Sequence, residues 1–425
     1  MNETIYDRDQ ILAWESQYES GVYSKQPIVL VRGQGARVWD MDGTEYIDCV
    51  GGHGAANMGH AHPAVVAAVQ AQAERLFLAP NGFYNDMRAQ LLATLVRVGP
   101  PGIVRAFLCS SGAEAVEAAL KFARLSTGRT KIISTMRGFH GRTMGALSTT
   151  WRKEYRDAFE PLVPDVAFVP YNRLAKLEDT IDEQTAAVIV EVVQGEGGVN
   201  PGSAEFLQGA QALCRERGAM FIVDEVQTGV GRTGKLFASE HYGLQPDLLA
   251  LAKSLAGGIP IGATLIGERV GEIPGHVHGT TFGGNPLASA AALATLHAME
   301  EERLPERAAR LGARLLEGFS AIDAAVVREV RGLGLMVGIE LRERCAVVPH
   351  LVVRFAEHGV VADRIDPAGL HGPDRTTEFG IEVPQRPLVV SAVEGLDGGE
   401  MAVVGNGALL GKGRPAHAPP QRHYC

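Results

Sequence analysis

The chain has few cysteines, and their spacing gives them no evident structural task. Five of the 425 residues are cysteine, and none of them forms a C-x-x-C pair. An odd number of cysteines at wide intervals indicates neither a disulfide framework nor a zinc site. We therefore expect reduced cysteines inside the fold. They are Cys49, Cys109, Cys214, Cys345 and Cys425.

Long apolar runs and an excess of positive charge are also missing. No run approaches the ~18 consecutive apolar residues of a membrane span, and residues 1–7 are too polar for a signal peptide. The net charge of −9 argues against nucleic acid as the main partner, because phosphate-backbone binding needs a positive surface. These absences predict a cytoplasmic protein with neither a membrane nor a nucleic-acid partner.

In other respects the composition is that of an ordinary globular protein, with 46% hydrophobic and 21% charged residues. The length exceeds the ~250–300 residues at which single cores stop growing, so a large domain with a smaller lobe is expected. Strand and helix patterns alternate through the middle of the chain. This alternation predicts an α/β fold with a mainly parallel sheet and helices on both of its faces.

Two apolar runs within that region each end on a residue that can carry chemistry. Residues 220–223 precede Asp224, and residues 248–252 precede Lys253. Apolar runs of this length read as buried parallel strands, and open α/β sheets bind ligands at the carboxyl ends of such strands. We therefore expect the carboxylate and the amine to face one cleft.

This pair suits pyridoxal phosphate. A buried lysine can form a Schiff base with the cofactor aldehyde, and an aspartate beside the pyridine nitrogen keeps that nitrogen protonated. Lys253 is thus the candidate Schiff-base residue and Asp224 the candidate partner of the ring nitrogen. The alternative is structural: Asp224 caps a helix after its strand, and Lys253 is a surface lysine at a strand end.

A candidate phosphate site follows the strand at 106–109. Residues 110–115 read Ser-Ser-Gly-Ala-Glu-Ala and open an alanine-rich helix. The free N–H groups and positive dipole end of such a helix can hold phosphate. Ser111 as an N-cap with Glu114 in the first turn is an equally good description and does not exclude that function.

A glycine-flexed loop at 138–143 supplies an aromatic ring and a guanidinium. Phe139 could stack on a flat cofactor, and Arg142 could fork a substrate carboxylate, although either could be a packed loop residue. A second loop carries His53, His60 and His62, but it has no carboxylate at ligand spacing and no helical histidine pair. No metal site is predicted.

With six such segments in order, the chain resembles the subgroup III, fold-type I pyridoxal-phosphate aminotransferases. It is most similar to those acting on N-acetylornithine or on carrier-protein-bound lysine. The order makes the resemblance specific, although each segment alone is weak or moderate. The segments lie at 110–115, 138–143, 193–198, 224–229, 251–253 and 279–286.

The resemblance implies a role for each matching residue. Ser111, Gly112 and Ala113 would bind the phosphate, Phe139 would cover the ring, Asp224 and Gln227 would contact it, and Lys253 would be Schiff base and proton shuttle. Arg142 and Thr280 would bind substrate. Glu196 would be a gate that pairs with a C-terminal arginine and releases it for 2-oxoglutarate. Thr281 would reach the phosphate in the other subunit, which implies a homodimer with shared sites.

It also implies a division of the chain. Residues 1–60 would form an arm and part of a small α+β lobe, residues 61–300 the large cofactor-binding domain, and residues 301–425 the rest of the small lobe. The family's small lobe carries its arginine in an Arg-Phe-x-Pro-Pro-Leu stretch, which is absent here. Arg354 and Arg386 lie in partial echoes of it. The pattern is lost after about residue 346, and our hypothesis is a reading-frame shift, which translation of the other two frames would test.

The expected reaction is transamination of the terminal amine of an N-α-blocked ornithine or lysine with 2-oxoglutarate, in arginine or lysine biosynthesis. The block would be an acetyl group or an acidic amino-group carrier protein, and the sequence leaves both the block and the side-chain length open. The alternatives are a general ω-aminotransferase acting on ornithine or 4-aminobutyrate, a decarboxylase or aminomutase with the same cofactor, and a catalytically silent fold used for binding.

Overall fold

The computed structural model describes residues 6–23, 25–322 and 327–342, together with the backbone of three short strands at 360–362, 388–391 and 408–411. Arg354 and Arg386 lie outside the described residues, as does most of the segment after about 346. The hypothesis of a frame shift there stays a prediction, as do the domain boundaries near 60 and 300.

The chain begins with a helix and an antiparallel three-stranded unit. Residues 38–48 form a hairpin: Val38 pairs with Tyr46, and the Asp40 carboxylate accepts from the Thr44 N–H at 2.7 Å in the turn. The elements up to residue 98 are α1 (Arg8–Tyr18), β1 (Leu30–Gln34), β2 (Arg37–Asp40), β3 (Glu45–Asp48), α2 (Gly51–Gly54), α3 (Pro63–Ala73) and α4 (Asp86–Val98).

The middle of the chain alternates strands and helices, as its apolar pattern predicts. Its strands are β4 (Ile103–Cys109), β5 (Lys131–Thr135), β6 (Val166–Val169), β7 (Thr185–Glu191), β8 (Val193–Gln194), β9 (Asn200–Pro201), β10 (Met220–Asp224), β11 (Leu248–Leu251) and β12 (Gly262–Gly267). Its helices are α5 (Gly112–Thr127), α6 (Met144–Thr149), α7 (Lys153–Arg156), α8 (Leu174–Thr180), α9 (Ala204–Arg217), α10 (Pro286–Glu301) and α11 (Leu304–Ser320).

Seven of these strands form the central sheet, in the order β4-β12-β11-β10-β7-β5-β6. Only β12 runs against the others, because it pairs antiparallel with both β11 and β4. The prediction of a mainly parallel sheet is confirmed. Strands β7, β10 and β11 are buried along their whole length, which is the burial expected where helices cover both faces of a parallel sheet.

Helix α5 shows how sequence and packing agree. Ser111 caps its first turn by accepting from the Glu114 N–H at 3.2 Å, and Gly128 ends it in the left-handed conformation with φ +67°. Between these ends, a row of alanines lets the helix lie close to the sheet, and Ala115, Ala118 and Ala119 are fully buried there. The helix thereby brings its N-terminus to the carboxyl edge of the sheet.

After α11 the chain forms an antiparallel hairpin, β13 (Val327–Leu333) and β14 (Met336–Leu341). Of the three strands described by backbone alone, β15 (Val360–Ala362) pairs with β17 (Ala408–Gly411), and β16 (Leu388–Ser391) pairs with β14. Strand β17 also pairs with β3, so the two ends of the chain meet in one sheet. None of the helices in the described ranges has the length and apolar character needed to cross a membrane.

Candidate active site

A cavity of about 350 Å³ opens at the carboxyl edge of the central sheet, a volume in the usual range for small-molecule sites. It collects residues from the ends of several strands and from the start of α5. Its lining includes Ser110, Ser111, Gly112, Ala113, Phe139, His140, Gly141, Glu191, Asp224, Val226, Gln227 and Lys253. Seven predicted site residues therefore meet there: Ser111, Gly112, Ala113, Phe139, Asp224, Gln227 and Lys253.

Asp224 ends β10 with its carboxylate held on both oxygens. Oδ1 accepts from the Val226 N–H at 3.0 Å, and Oδ2 lies 2.7 Å from Nδ1 of His140. A turn follows Asp224 rather than a helix, so the alternative role as a helix cap is wrong. Burial opposes protonation of His140, but the bond to Asp224 and the charges of Asp224 and Glu191 outweigh it and raise the pKa of His140.

Lys253 follows β11 and begins a short 3₁₀ turn, Lys253–Ala256. Its φ is +40°, in a region that non-glycine residues rarely adopt. The side chain lines the cavity rather than the outer surface, which excludes the surface-lysine alternative. Burial lowers the pKa of Lys253, although the charges of Glu196, Asp224 and Glu191 act in the opposite direction. A lowered pKa favours the neutral amine, which is the nucleophilic form.

The first turn of α5 is shaped to receive an anion. Within the described part of the chain, the N–H groups of Gly112 and Ala113 have no acceptor, because Ser111 satisfies only the N–H of Glu114. A Cβ on Gly112 would lie 2.8 Å from Val226 Cγ1, so only glycine fits without displacement of its neighbour. Two free N–H groups at a helix N-terminus form a ready phosphate site.

Phe139 lines the cavity, whereas Arg142 lies outside the lining, with its guanidinium 5.6 Å from the centroid of the Phe139 ring. The Phe139 ring is partly exposed to the cavity and packs edge-on against Tyr155, with ring centroids 5.9 Å apart. Arg142 is exposed, and its guanidinium lies 3.6 Å above the Tyr155 ring. It has no carboxylate partner among the described residues.

Besides Arg142, three predicted substrate or partner residues lie outside the cavity lining. Glu196 is partly exposed; its backbone carbonyl accepts from Arg152 at 3.0 Å, and its carboxylate is near enough to Lys253 to act on the pKa of that amine. Thr281 is exposed. Thr280 is partly buried, and its carbonyl accepts from Asn81 Nδ2 at 3.0 Å. Neither threonine is among the residues that line the cavity.

The family of the protein follows from the match of its sequence to a family model. Residues 19–369 match the family model described as Aminotransferase class-III.

The chain belongs to the class-III aminotransferases.

Two relatives and one solved structure support this membership. The aminotransferase is 51% identical over 374 residues to a [LysW]-aminoadipate semialdehyde transaminase of Deinococcus radiodurans, covering 84% of this chain and 87% of that one. It is 51% identical over 327 residues to an acetylornithine aminotransferase of Methanopyrus kandleri, covering 76% and 84%. The ornithine aminotransferase of Toxoplasma gondii matches its structure with a TM-score of 0.82 at 33% identity, covering 92% and 90%.

The predictions of a fold-type I aminotransferase and of its cofactor are thereby confirmed, and the cavity fits that cofactor. Pyridoxal phosphate supplies an electron-accepting ring through which an amino group can be exchanged. The free N–H groups of Gly112 and Ala113 would hold its phosphate, the Phe139 ring would lie on its face, and Asp224 would keep its nitrogen protonated. Lys253 is the amine in this cavity that would bind the cofactor and move protons at the reacting carbon.

Sequence reasoning missed two residues of this aminotransferase cavity. His140 stands inside a segment that was singled out, but its bond to Asp224 joins residues 84 positions apart. Glu191 belongs to none of the six segments that carry the resemblance. The available signal was positional: Glu191 ends β7 beside Asp224 on β10, with the two residues in register.

Proposed function

We propose that the enzyme transfers the terminal amino group of an N-α-blocked ornithine or lysine to 2-oxoglutarate, giving the semialdehyde and glutamate. The observation that carries this proposal is the 51% identity to each of two relatives. One is named for an aminoadipate semialdehyde linked to LysW and the other for acetylornithine. Both names describe an amino acid that bears a further group.

The charge at the mouth of the cavity supports the same substrate class. Arg142 presents an exposed guanidinium, fixed over Tyr155, that can bind the substrate carboxylate. A free α-ammonium would lie next to that carboxylate and would therefore come close to the Arg142 charge. Blocking the nitrogen removes the substrate's positive charge and leaves an amide, so the site favours the blocked form.

The test compares kcat/KM for N-acetylornithine, N-acetyl-lysine, free ornithine and 4-aminobutyrate, each with 2-oxoglutarate. The blocked compounds should react at least about tenfold better, which corresponds to about 1.4 kcal/mol of differential transition-state binding. Equal reaction of free ornithine or 4-aminobutyrate would place the enzyme among the general ω-aminotransferases.

A carrier protein as the blocking group would need positive charge around the opening. Arg142 and Arg152 both approach the ring of Tyr155, at 3.6 and 5.6 Å, and Arg156 and Lys153 lie on the same segment. We propose that these side chains receive an acidic carrier. Carrier-bound lysine should then show a kcat/KM that falls with added salt, whereas N-acetyl-lysine should show little change. A salt effect of the same size on both substrates contradicts carrier docking.

We further propose a homodimer in which Thr281 completes the site of the other subunit. The loop of Thr280 and Thr281 is tied by Asn81 to a segment with exposed aromatic side chains. Phe77 is 60% exposed, Phe83 71% and, on the threonine loop itself, Phe282 59%. Apolar side chains clustered in this way are typical of a surface that another chain covers.

Subunit complementation tests this arrangement. The Lys253→Ala and Thr281→Ala homodimers should each be impaired, while a mixture refolded together should regain activity. In the mixed dimer, the subunit with intact Lys253 receives Thr281 from the Lys253→Ala subunit, so one of its two sites is complete. With random pairing, about a quarter of all sites should recover. A mixture no more active than its components contradicts a shared site.

A further inference from the structure

A buried glutamate at the end of β7 connects two sides of the cavity. Glu191 is only 5% exposed. Its Oε1 accepts from the Phe139 N–H at 2.9 Å, and its Oε2 accepts from the Gly195 N–H at 3.2 Å. Each carboxylate oxygen therefore holds a different loop. Bonds from backbone N–H groups to a buried carboxylate are among the stronger hydrogen bonds in proteins.

The two loops contribute different parts of the wall. The ring of Phe139 lines the cavity directly. Gly195 acts through Gln227, because a Cβ on Gly195 would lie 1.9 Å from Gln227 Oε1, so the glycine backbone packs tightly on that amide. A shift of Gly195 would thus move the side chain expected to contact the edge of the cofactor ring.

We infer that Glu191 is a positioning residue for pyridoxal phosphate. Its carboxylate fixes the loop of Phe139, which would cover the face of the cofactor ring, relative to the pair Gly195–Gln227, which would contact the edge of the ring. The inference rests on the proposed contacts of Phe139 and Gln227 with the cofactor and is independent of the proposed substrate. Glu191 does not need to touch the cofactor for this function.

The bonds from Phe139 and Gly195 together form a clamp that needs both carboxylate oxygens of Glu191 as acceptors. The strength of this clamp therefore depends on the ionisation of the Glu191 carboxyl group. Burial raises the pKa of Glu191 to about 7, and the positive charge of His140 and the two backbone bonds oppose the shift, while the charge of Asp224 adds to it. Lys253 faces Glu191 from the end of β11, and the Tyr171 hydroxyl donates to its backbone carbonyl at 2.6 Å. A protonated carboxyl group has one acceptor fewer, so the clamp should weaken below neutral pH.

Glu225, which follows the neighbouring strand β10, offers a matched control for Glu191. Glu225 is 1% exposed, and burial raises its pKa to about 7 as well. It also clamps two backbone N–H groups, those of Ala238 at 2.6 Å and Ser239 at 2.8 Å. Glu225 does not line the cavity. It therefore reproduces the burial, the raised pKa and the paired backbone bonds of Glu191 outside the cavity lining, with further bonds from the hydroxyls of Ser239 and Thr228.

The experiment is equilibrium dialysis of the full-length holoenzyme against graded pyridoxal phosphate, for wild type, Glu191→Gln, Glu191→Asp and Glu225→Gln. A glutamine keeps the shape but offers one acceptor, so it can hold Phe139 or Gly195 but not both. We expect its Kd for the cofactor to rise on the order of tenfold at pH 8, the cost of about one buried hydrogen bond. The ratio of variant to wild-type Kd should shrink at pH 6, where the wild-type clamp is itself protonated.

Thermal unfolding of the same proteins separates positioning from a general loss of stability. Glu225→Gln should lower Tm while leaving the Kd for the cofactor near the wild-type value. Unchanged cofactor affinity in Glu191→Gln overturns the inference, as does an equal loss of affinity in Glu225→Gln. If Glu191→Gln fails to fold, Glu191→Asp decides: it keeps the charge but is too short to reach both loops, and wild-type affinity in that variant overturns the inference equally.

Discussion

His140 Nδ1 lies 2.7 Å from Asp224 Oδ2, and both side chains are almost completely buried. Because their bond raises the pKa of His140, the ring carries a positive charge over a wider pH range than a free histidine. The positive ring and the Asp224 carboxylate therefore form a paired charge inside the fold. The second ring nitrogen, Nε2, is buried without a hydrogen-bond partner in the described part of the chain.

Asp224→Asn should therefore damage chemistry more than folding. The amide keeps the shape and can still accept from Val226, but it cannot hold the ring nitrogen of the cofactor in its protonated form. We expect kcat to fall on the order of 10²-fold, the usual cost of losing one preorganised electrostatic contact. Single-turnover kinetics are the appropriate measurement, and an unchanged single-turnover rate contradicts the assigned function of Asp224.

Lys253→Ala should remove both cofactor attachment and proton transfer. The cavity holds this one lysine, and its lowered pKa favours the reactive neutral amine. We expect loss of the visible absorbance of the attached cofactor and of turnover by at least about 10²–10⁴-fold. Lys235→Ala, at an exposed position outside the cavity lining, is the control and should keep both properties. Full activity of Lys253→Ala would eliminate the assignment.

The sequence predicts well those cavity residues that lie at the ends of strands. Asp224 and Lys253 follow apolar runs, and the carboxyl ends of parallel strands must share an edge, so their meeting required no knowledge of side-chain contacts. The start of α5 was predictable for a similar reason, since a serine cap and a glycine mark where a helix begins.

Contacts that depend on register and loop shape were not predictable. The bond between His140 and Asp224 and the double clamp of Glu191 need the loops in their final positions. The short strand β6 and the helices α6, α7 and α8 are too brief for their periodicity to stand out. Residues Gly51–Gly54 form a left-handed turn with φ from +56° to +82° at the glycines and +55° at His53, where the composition indicated only a loop.

Gly112→Ala should weaken cofactor binding without unfolding the protein. The added Cβ would meet Val226 Cγ1 at 2.8 Å and Ala252 Cβ at 3.4 Å, so either the first turn of α5 or the Val226 side chain, which lines the cavity, must shift. We expect the Kd for pyridoxal phosphate to rise on the order of tenfold, because overpacking typically costs about 1–3 kcal/mol. Gly275→Ala is the control, since its Cβ would meet nothing within 4 Å. Equal affinity of the two variants would show that the fit at Gly112 is not needed.

Arg331 joins strand β13 to the loop that carries Glu196. Its guanidinium donates to the carbonyls of Gly198 at 2.8 Å and Val199 at 3.1 Å, while its remaining nitrogen binds Glu340 at 2.6 Å. From the other side, Arg152 holds the Glu196 carbonyl at 3.0 Å. The backbone of the loop is therefore fixed by two arginines, and neither of them binds the Glu196 side chain.

Arg331→Lys should disturb the step that uses this loop. A lysine has a single nitrogen and cannot reach Gly198, Val199 and Glu340 together, so the loop loses one or more buried bonds. If Glu196 gates the site for the 2-oxoglutarate and glutamate pair, KM for 2-oxoglutarate should rise on the order of tenfold, with a smaller change for the long amine donor. Arg328→Lys is the control, because Arg328 binds the same Glu340 at 2.8 Å from an exposed position and does not touch the loop. A rise of equal size in both KM values, or the same effect in the control, would mean that Arg331 acts on stability alone and that strand β13 does not set the position of the Glu196 loop.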